Sequence, residues 1–191
     1  MRTIGLLAAI FFLPLVASFV MYYGGSWRPA ASTAHGELYH PARELPKAEL
    51  RLSSGEVAPV NVFSEKWALV YVGNGVCDDA CADSLYFMRQ TRLSLNNEMT
   101  RVERVFLGTS ECCSFEAAER KYPGLMTGVV TIDASGPNAA DLVAAFPDTE
   151  RAHSLYVVDP LGNLVMRYDA RDEPKGLLDD LKKLLKLSHI G

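Results

Sequence analysis

The sequence predicts an α/β domain, one mixed sheet with helices on its faces, carried behind a single N-terminal membrane-spanning helix. Three observations lead there. Residues Ile4 to Tyr23 form an uncharged apolar run. From Ala48 onward, β-branched runs alternate with segments of helical period, the pattern of an α/β fold. The 191 residues are 49% hydrophobic and 22% charged, a composition that can bury a core and excludes a disordered, collagenous or coiled-coil chain.

The run IGLLAAIFFLPLVASFVMYY would be about 30 Å long as a helix at roughly 1.5 Å per residue, enough for the hydrocarbon core of a bilayer. A cleaved signal peptide also begins with a basic residue and an apolar stretch. Here the stretch is long and no small-x-small site closes it cleanly, so residues 1–24 are expected to be an uncleaved anchor. Tyr22, Tyr23 and Trp27 stand where an interfacial aromatic belt would lie. Arg2 precedes the span, whereas Arg28 and Arg43 come well after it, so flanking charge says little about orientation. Residues 25–47 are rich in Gly, Pro, Ala and Ser with no sustained period and read as a flexible tether. Residues 48–191 read as one domain, without internal repeats.

Within that domain Trp67 to Gly73, WALVYVG, is continuous and β-branched, as in a strand buried on both faces. Cys81, Leu85 and Met88 follow at helical spacing and, after a break at Arg92, so do Leu95 and Met99. Arg101 to Gly108 and Thr127 to Asp133 read as strands, with a short helix over Ser114 to Tyr122 ended by Pro123-Gly124. Pro137 to Phe146 reads as a further helix. His153 to Asp159 and Asn163 to Asp169 form a hairpin through Asp159-Pro160-Leu161-Gly162, where Pro suits the first central turn position and Gly the left-handed one. The last segment, PKGLLDDLKKLLKL, puts Leu177, Leu181 and Leu184 with Leu178 and Leu185 on one stripe, a helix packed on the sheet. Met88, Met99 and Met166 fall on apolar faces and are expected in the core.

A net charge of −4, with Lys and Arg scattered, excludes a nucleic-acid binder, which needs a concentrated basic face. Phosphate-loop, His-Glu-x-x-His and Gly-x-Ser-x-Gly motifs are absent from the sequence. The paired carboxylates Asp78-Asp79 and Asp179-Asp180 are adjacent rather than facing, unlike those of a glycosidase.

The cysteines carry the chemistry. Four are too few to staple a domain of this size, so each has to be explained by its position. Cys77 and Cys81 lie in Gly73-Asn74-Gly75-Val76-Cys77-Asp78-Asp79-Ala80-Cys81, between a buried strand and a helix. Unpaired amides at a helix start stabilise a thiolate. Four residues apart, the two sulfurs stand over one another on the first turn, able to face one metal ion or to join as a disulfide. Two thiolates suit Cu(I), Zn or an iron–sulfur site, but two alone close none. Asp78 and Asp79 oppose thiolate formation and favour a bound cation. Among the histidines, His35 and His40 fall in the tether and His189 near the C-terminal end, where each reads as solvated. His153 begins a strand after a polar turn and should sit at the mouth of the sheet; spacing alone does not decide whether it is a ligand. Cys112 and Cys113 follow the second strand. Neighbouring cysteines rarely bridge each other, so they read either as reduced and incidental or as a relay to the first pair.

WALVYVGNGVCDDACADSL resembles the segment of the SCO/SenC copper chaperones in which a strand leads into Cys-x-x-x-Cys, and RAHSLYVVDPLGNLV resembles the family's second signature, a histidine and serine before a strand and Asp-Pro-x-Gly. The resemblance spans roughly Trp67 to Leu187. It implies a thioredoxin-like fold, a copper site, Cu(I) or Cu(II), made by Cys77, Cys81 and His153, and delivery of copper to, or reduction of, the copper-bearing subunit of cytochrome c oxidase or another copper protein. It also implies a single-pass protein of the bacterial inner membrane whose domain faces the periplasm. Departures from the family pattern are Asp78 and Ala82 in place of prolines after each cysteine, GNGV before the first, and PVNVFSEKW where the domain usually starts Gly-Gly-x-Phe. On the residues alone, a thiol–disulfide oxidoreductase in which Cys77 attacks and Cys81 resolves is the rival. A copper or redox sensor that passes no metal on is a third reading.

Overall fold

Six consecutive buried residues, Trp67 to Val72, set the plan of the domain. Side chains alternate sides along a strand, so burial of all six requires a core on each face of the sheet. The computed structural model describes residues 2–24, 33–52, 55–57, 62–73, 77–109, 120–121, 129–134, 138–147, 151–188 and 190. In chain order its elements are α1 (Arg2–Tyr23), β1 (Glu37–Glu44), β2 (Arg51–Leu52), β3 (Trp67–Gly73), α2 (Asp79–Ser94), β4 (Val102–Gly108), β5 (Val129–Asp133), α3 (Ala139–Ala145), β6 (Ser154–Val158), β7 (Asn163–Asp169) and α4 (Pro174–Leu187). Short 3₁₀ segments occupy Asn96–Arg101 and Arg151–His153. The chain divides into two compact units, Met1–Thr33 and Ala34–Gly191.

The first unit contains α1, whose Thr3–Tyr23 stretch of 21 residues has a mean hydropathy of 2.5 and is long and apolar enough to cross a membrane. Pro14 lies inside it, a substitution tolerated far better in membrane helices than in soluble ones.

Among the described residues, the second unit carries a mixed seven-stranded sheet in the order β1-β7-β6-β3-β4-β5-β2. β3 pairs parallel with β4 and antiparallel with β6, and β4 pairs parallel with β5. On one face Trp67, Leu69, Tyr71, Val102 and Phe106 meet Leu85 and Met88 of α2 and Leu177 and Leu181 of α4. On the other, Ala68, Val70, Val72, Val105 and Leu107 meet Leu142 of α3 and the ring of Phe146. The predicted mixed α/β architecture is thus present. The Asp159–Gly162 hairpin turn is too: Gly162 has φ 86°, and Asp159 Oδ1 accepts from the amides of Leu161 and Asn163.

Several local expectations change. Residues 37–44, read as part of a flexible tether over 25–47, form β1, antiparallel to β7. Nearly every residue of β1 is solvent-exposed, so it has no apolar alternation to announce it and is held by the main-chain groups along the edge of β7. The helix at the cysteines stops at Ser94, and Asn96 has φ 52°. Met99 therefore falls in the 3₁₀ segment and is 36% exposed, while Met88 and Met166 are fully buried. His35 is not simply solvated, as shown below. Of the short helix expected over Ser114 to Tyr122, only Arg120 and Lys121 are described, and both are helical. Cys112, Cys113, Trp27 and His189 lie outside the described residues.

At the end of β7, Arg171 binds the Asp169 carboxylate through its side chain and amide. These hydrogen bonds, the side-chain one foremost, hold its pKa down at about 2 against an ordinary 3.8. A carboxyl depressed in the folded state stabilises the fold above the ordinary pKa, and that contribution fades as pH falls through the lowered one. Arg171 is half-exposed, so the contribution is about 1 kcal/mol. Urea unfolding of Asp169→Asn should show a deficit of that order at pH 7 that closes as pH is lowered from 4 toward about 2.

Candidate functional site

The strand register brings the candidate residues to one end of the central strands. β3 runs toward Gly73 and pairs there with Gly108 of the parallel β4, while the antiparallel β6 begins beside it, with Tyr71 opposite Leu155. The chain leaving β3 reaches Cys77 and Cys81 at the start of α2, and the 3₁₀ segment Arg151–His153 delivers His153 immediately before β6. His153 is thus the last residue of that turn rather than the first of the strand, half-buried at the mouth of the sheet as expected.

Cys77 and Cys81 form a disulfide with Cα atoms 5.1 Å apart. Cys81 is 1% exposed and Cys77 8%, so both residues are buried and Cys77 is slightly the more accessible. The first turn of α2 is held by Asp78, whose backbone is extended and whose carboxylate accepts from the Cys81 amide at 3.0 Å. Its carbonyl accepts from the Ala82 amide. This is an N-cap, a role the sequence reading did not give it; the signal was an aspartate directly ahead of the first helical turn. Asp79 is highly exposed, with Lys121 Nζ 3.5 Å away.

The histidine turn is pinned from three directions. The Ala152 carbonyl accepts from Tyr71 Oη of β3 and from Ser84 Oγ of α2, each at 3.4 Å, and the His153 carbonyl accepts from the Ala170 amide at 2.7 Å. Neither Tyr71 nor Ser84 stood out in the sequence, because each looks like an ordinary core residue until the fold brings it beneath this turn. Burial, reinforced by the nearby Asp78 charge, pushes the Tyr71 phenol up to about 12. It therefore remains a neutral donor across the physiological range.

In this oxidised state the two sulfurs are bonded to each other, and among the described residues no group of three His, Cys, Asp or Glu side chains converges on a point where a metal ion could sit. The structure brings the cysteines into bonding contact and His153 to the same end of the strands, without joining the three. Opening the disulfide would leave two soft thiolates on a helix start with an imidazole on the adjoining turn, a donor set that suits Cu(I).

The family model described as transmembrane-like, thioredoxin-like, C-terminal domain matches residues 67–188. Copper-bound yeast Sco1 is similar in structure, with a TM-score of 0.63 and 14% identity over 76% of this chain and 94% of that one. Apo Sco1 from Thermus thermophilus gives 0.63 and 20% identity over 81% and 99%. BsSco, described as having a disulfide switch and as a member of the Sco family of cytochrome c oxidase assembly proteins, gives 0.58 and 14% over 77% and 96%. At these identities the likeness is one of fold, and it falls on the family that the two sequence signatures resemble. No curated protein sequence matches the chain.

Replacing Asp78 by Ala should remove the cap and cost about 1 kcal/mol of stability by urea denaturation, with faster hydrogen exchange at the Cys81 amide. Asp78→Asn, which retains a side-chain oxygen acceptor, should recover most of the loss.

Proposed function

Because the chain belongs to the family of transmembrane-like, thioredoxin-like C-terminal domains, we propose that it is a membrane-anchored copper-binding thiol protein of the SCO/SenC type. Its reduced Cys77 and Cys81, with His153, bind copper and pass it to a copper protein. The observation that carries this reading is that a strand-to-helix cysteine pair and the turn bearing His153 lie at the same end of the neighbouring strands β3 and β6. The client we assign is the copper-bearing subunit of cytochrome c oxidase, in a bacterial inner membrane with the domain on the periplasmic side. Support comes from the two sequence signatures, from the helix long enough to span a bilayer, and from the assembly role stated for BsSco.

Copper is cargo in this scheme. A carrier needs strong ligands that can be handed over one at a time, and Cys77, the slightly more accessible residue, is the one an acceptor would reach first. In the oxidised form the two sulfurs are bonded to each other and neither is a thiolate, the form that binds copper strongly. Two electrons and two protons from an external thiol reductant restore the dithiol, and the dithiol passes them on when it reduces a disulfide in a client. Carriage of copper and reduction of a client therefore draw on the same two atoms. Residues 1–24 act as the anchor, and the second compact unit begins at Ala34.

A second reading, a thiol–disulfide oxidoreductase without copper, is favoured by the disulfide itself. Anaerobic titration of the reduced full chain in detergent separates the two. One copper ion per chain is expected in the parent, with affinity lowered at least about tenfold in His153→Ala and lost in Cys77→Ser. A parent that retains copper no better than a simple dithiol, yet reduces a test disulfide catalytically, would sink the copper reading.

A further inference from the structure

His35, at the start of the second compact unit, is held by α4 through one carboxylate. Asp180 is 3% exposed although it lies on a helix whose neighbouring charges face solvent. Its Oδ2 accepts from the amides of His35 at 2.6 Å and Gly36 at 3.0 Å, and its Oδ1 lies 3.1 Å from His35 Nδ1 and 3.6 Å from Lys183 Nζ. A carboxylate is rarely buried this far unless its oxygens are satisfied, and here two main-chain donors, an imidazole and an ammonium surround it.

Two glycines make room for the contact. A Cβ on Gly176, inside α4, would come within 2.6 Å of Tyr168 Oη and 2.9 Å of His35 Cβ, and a Cβ on Gly36 within 2.8 Å of Met166 Sδ and 2.9 Å of the Arg167 carbonyl oxygen. A glycine within a helix costs roughly 1 kcal/mol against alanine, so Gly176 gives up helix stability where His35 approaches.

The position of this contact matters. β1 starts at Glu37 opposite Arg167, and two residues further along β7 Asp169 pairs with Ser154, the residue after His153. The chain ahead of β1 therefore enters the domain at the end of β7 that lies alongside the start of β6, next to the histidine turn.

We propose that Asp180, with the His35 and Gly36 amides, is a clasp that fixes where the membrane lead joins the domain. It fastens His35 and Gly36 to α4 and can open without unfolding the sheet.

Amide hydrogen exchange on the full chain in detergent micelles tests this. The parent should protect the His35 and Gly36 amides. Asp180→Ala should lose that protection at least about tenfold, while the Val70 and Tyr156 amides of the central strands keep theirs. Gly176→Ala, which leaves the carboxylate in place and crowds His35, should lower the same two protections and carries the test if Asp180→Ala fails to fold. Lys183→Ala should leave them unchanged. Unprotected His35 and Gly36 amides in the parent, or unchanged protection in a folded Asp180→Ala or Gly176→Ala chain, would overturn the clasp.

Discussion

Burial of β3 on both faces is the constraint on which the rest of the domain depends. Leu69 and Val70 are both fully buried, yet one belongs to the core under α2 and α4 and the other to the core under α3. A strand in that position needs hydrogen-bonding neighbours on both edges and helices above and below. β4 and β6 supply the first, and α2, α3 and α4 the second. Because β4 runs with β3 and β6 against it, the end of β3 and the start of β6 lie at the same end of the sheet. The cysteine helix and the histidine turn are neighbours for that reason, although more than 70 residues separate Cys81 from His153 in the chain.

The site rests on that frame through few contacts. Tyr71 and Ser84 come from different elements and donate to one carbonyl, that of Ala152. Each is a core residue with one polar atom at the right height. Asp78 caps the helix that carries Cys81, so the first turn is set before either sulfur reacts. The more exposed position of Cys77 follows from its place ahead of the first helical turn, while Cys81 sits within the helix and faces the core.

Asp180 shows how a charge can be structural in a helix that otherwise reads as amphipathic. By spacing it stands three residues after Leu177 and four before Leu184, at the border of the leucine stripe. In the fold its neighbour Asp179 lies further out, whereas Asp180 turns inward to meet main-chain amides from a segment some 145 residues earlier. No local pattern predicts that meeting, because backbone amides are present at every position and leave no trace in composition.

The sequence by itself determined the elements that carry strong local signals: the apolar length of α1, the unbroken run of β3, the hairpin at Asp159–Gly162, the leucine stripe of α4, and the candidate residues Cys77, Cys81 and His153. Periodicity and turn chemistry act over a few residues and are written where they act. The tertiary structure alone decided that residues 37–44 are a strand, that the helix stops before Met99, and that Tyr71 and Ser84 underpin the histidine turn. An exposed edge strand has no hydrophobic face to display, and a hydrogen bond between elements far apart in the chain depends on strand order and register. Those quantities exist only once the sheet has formed.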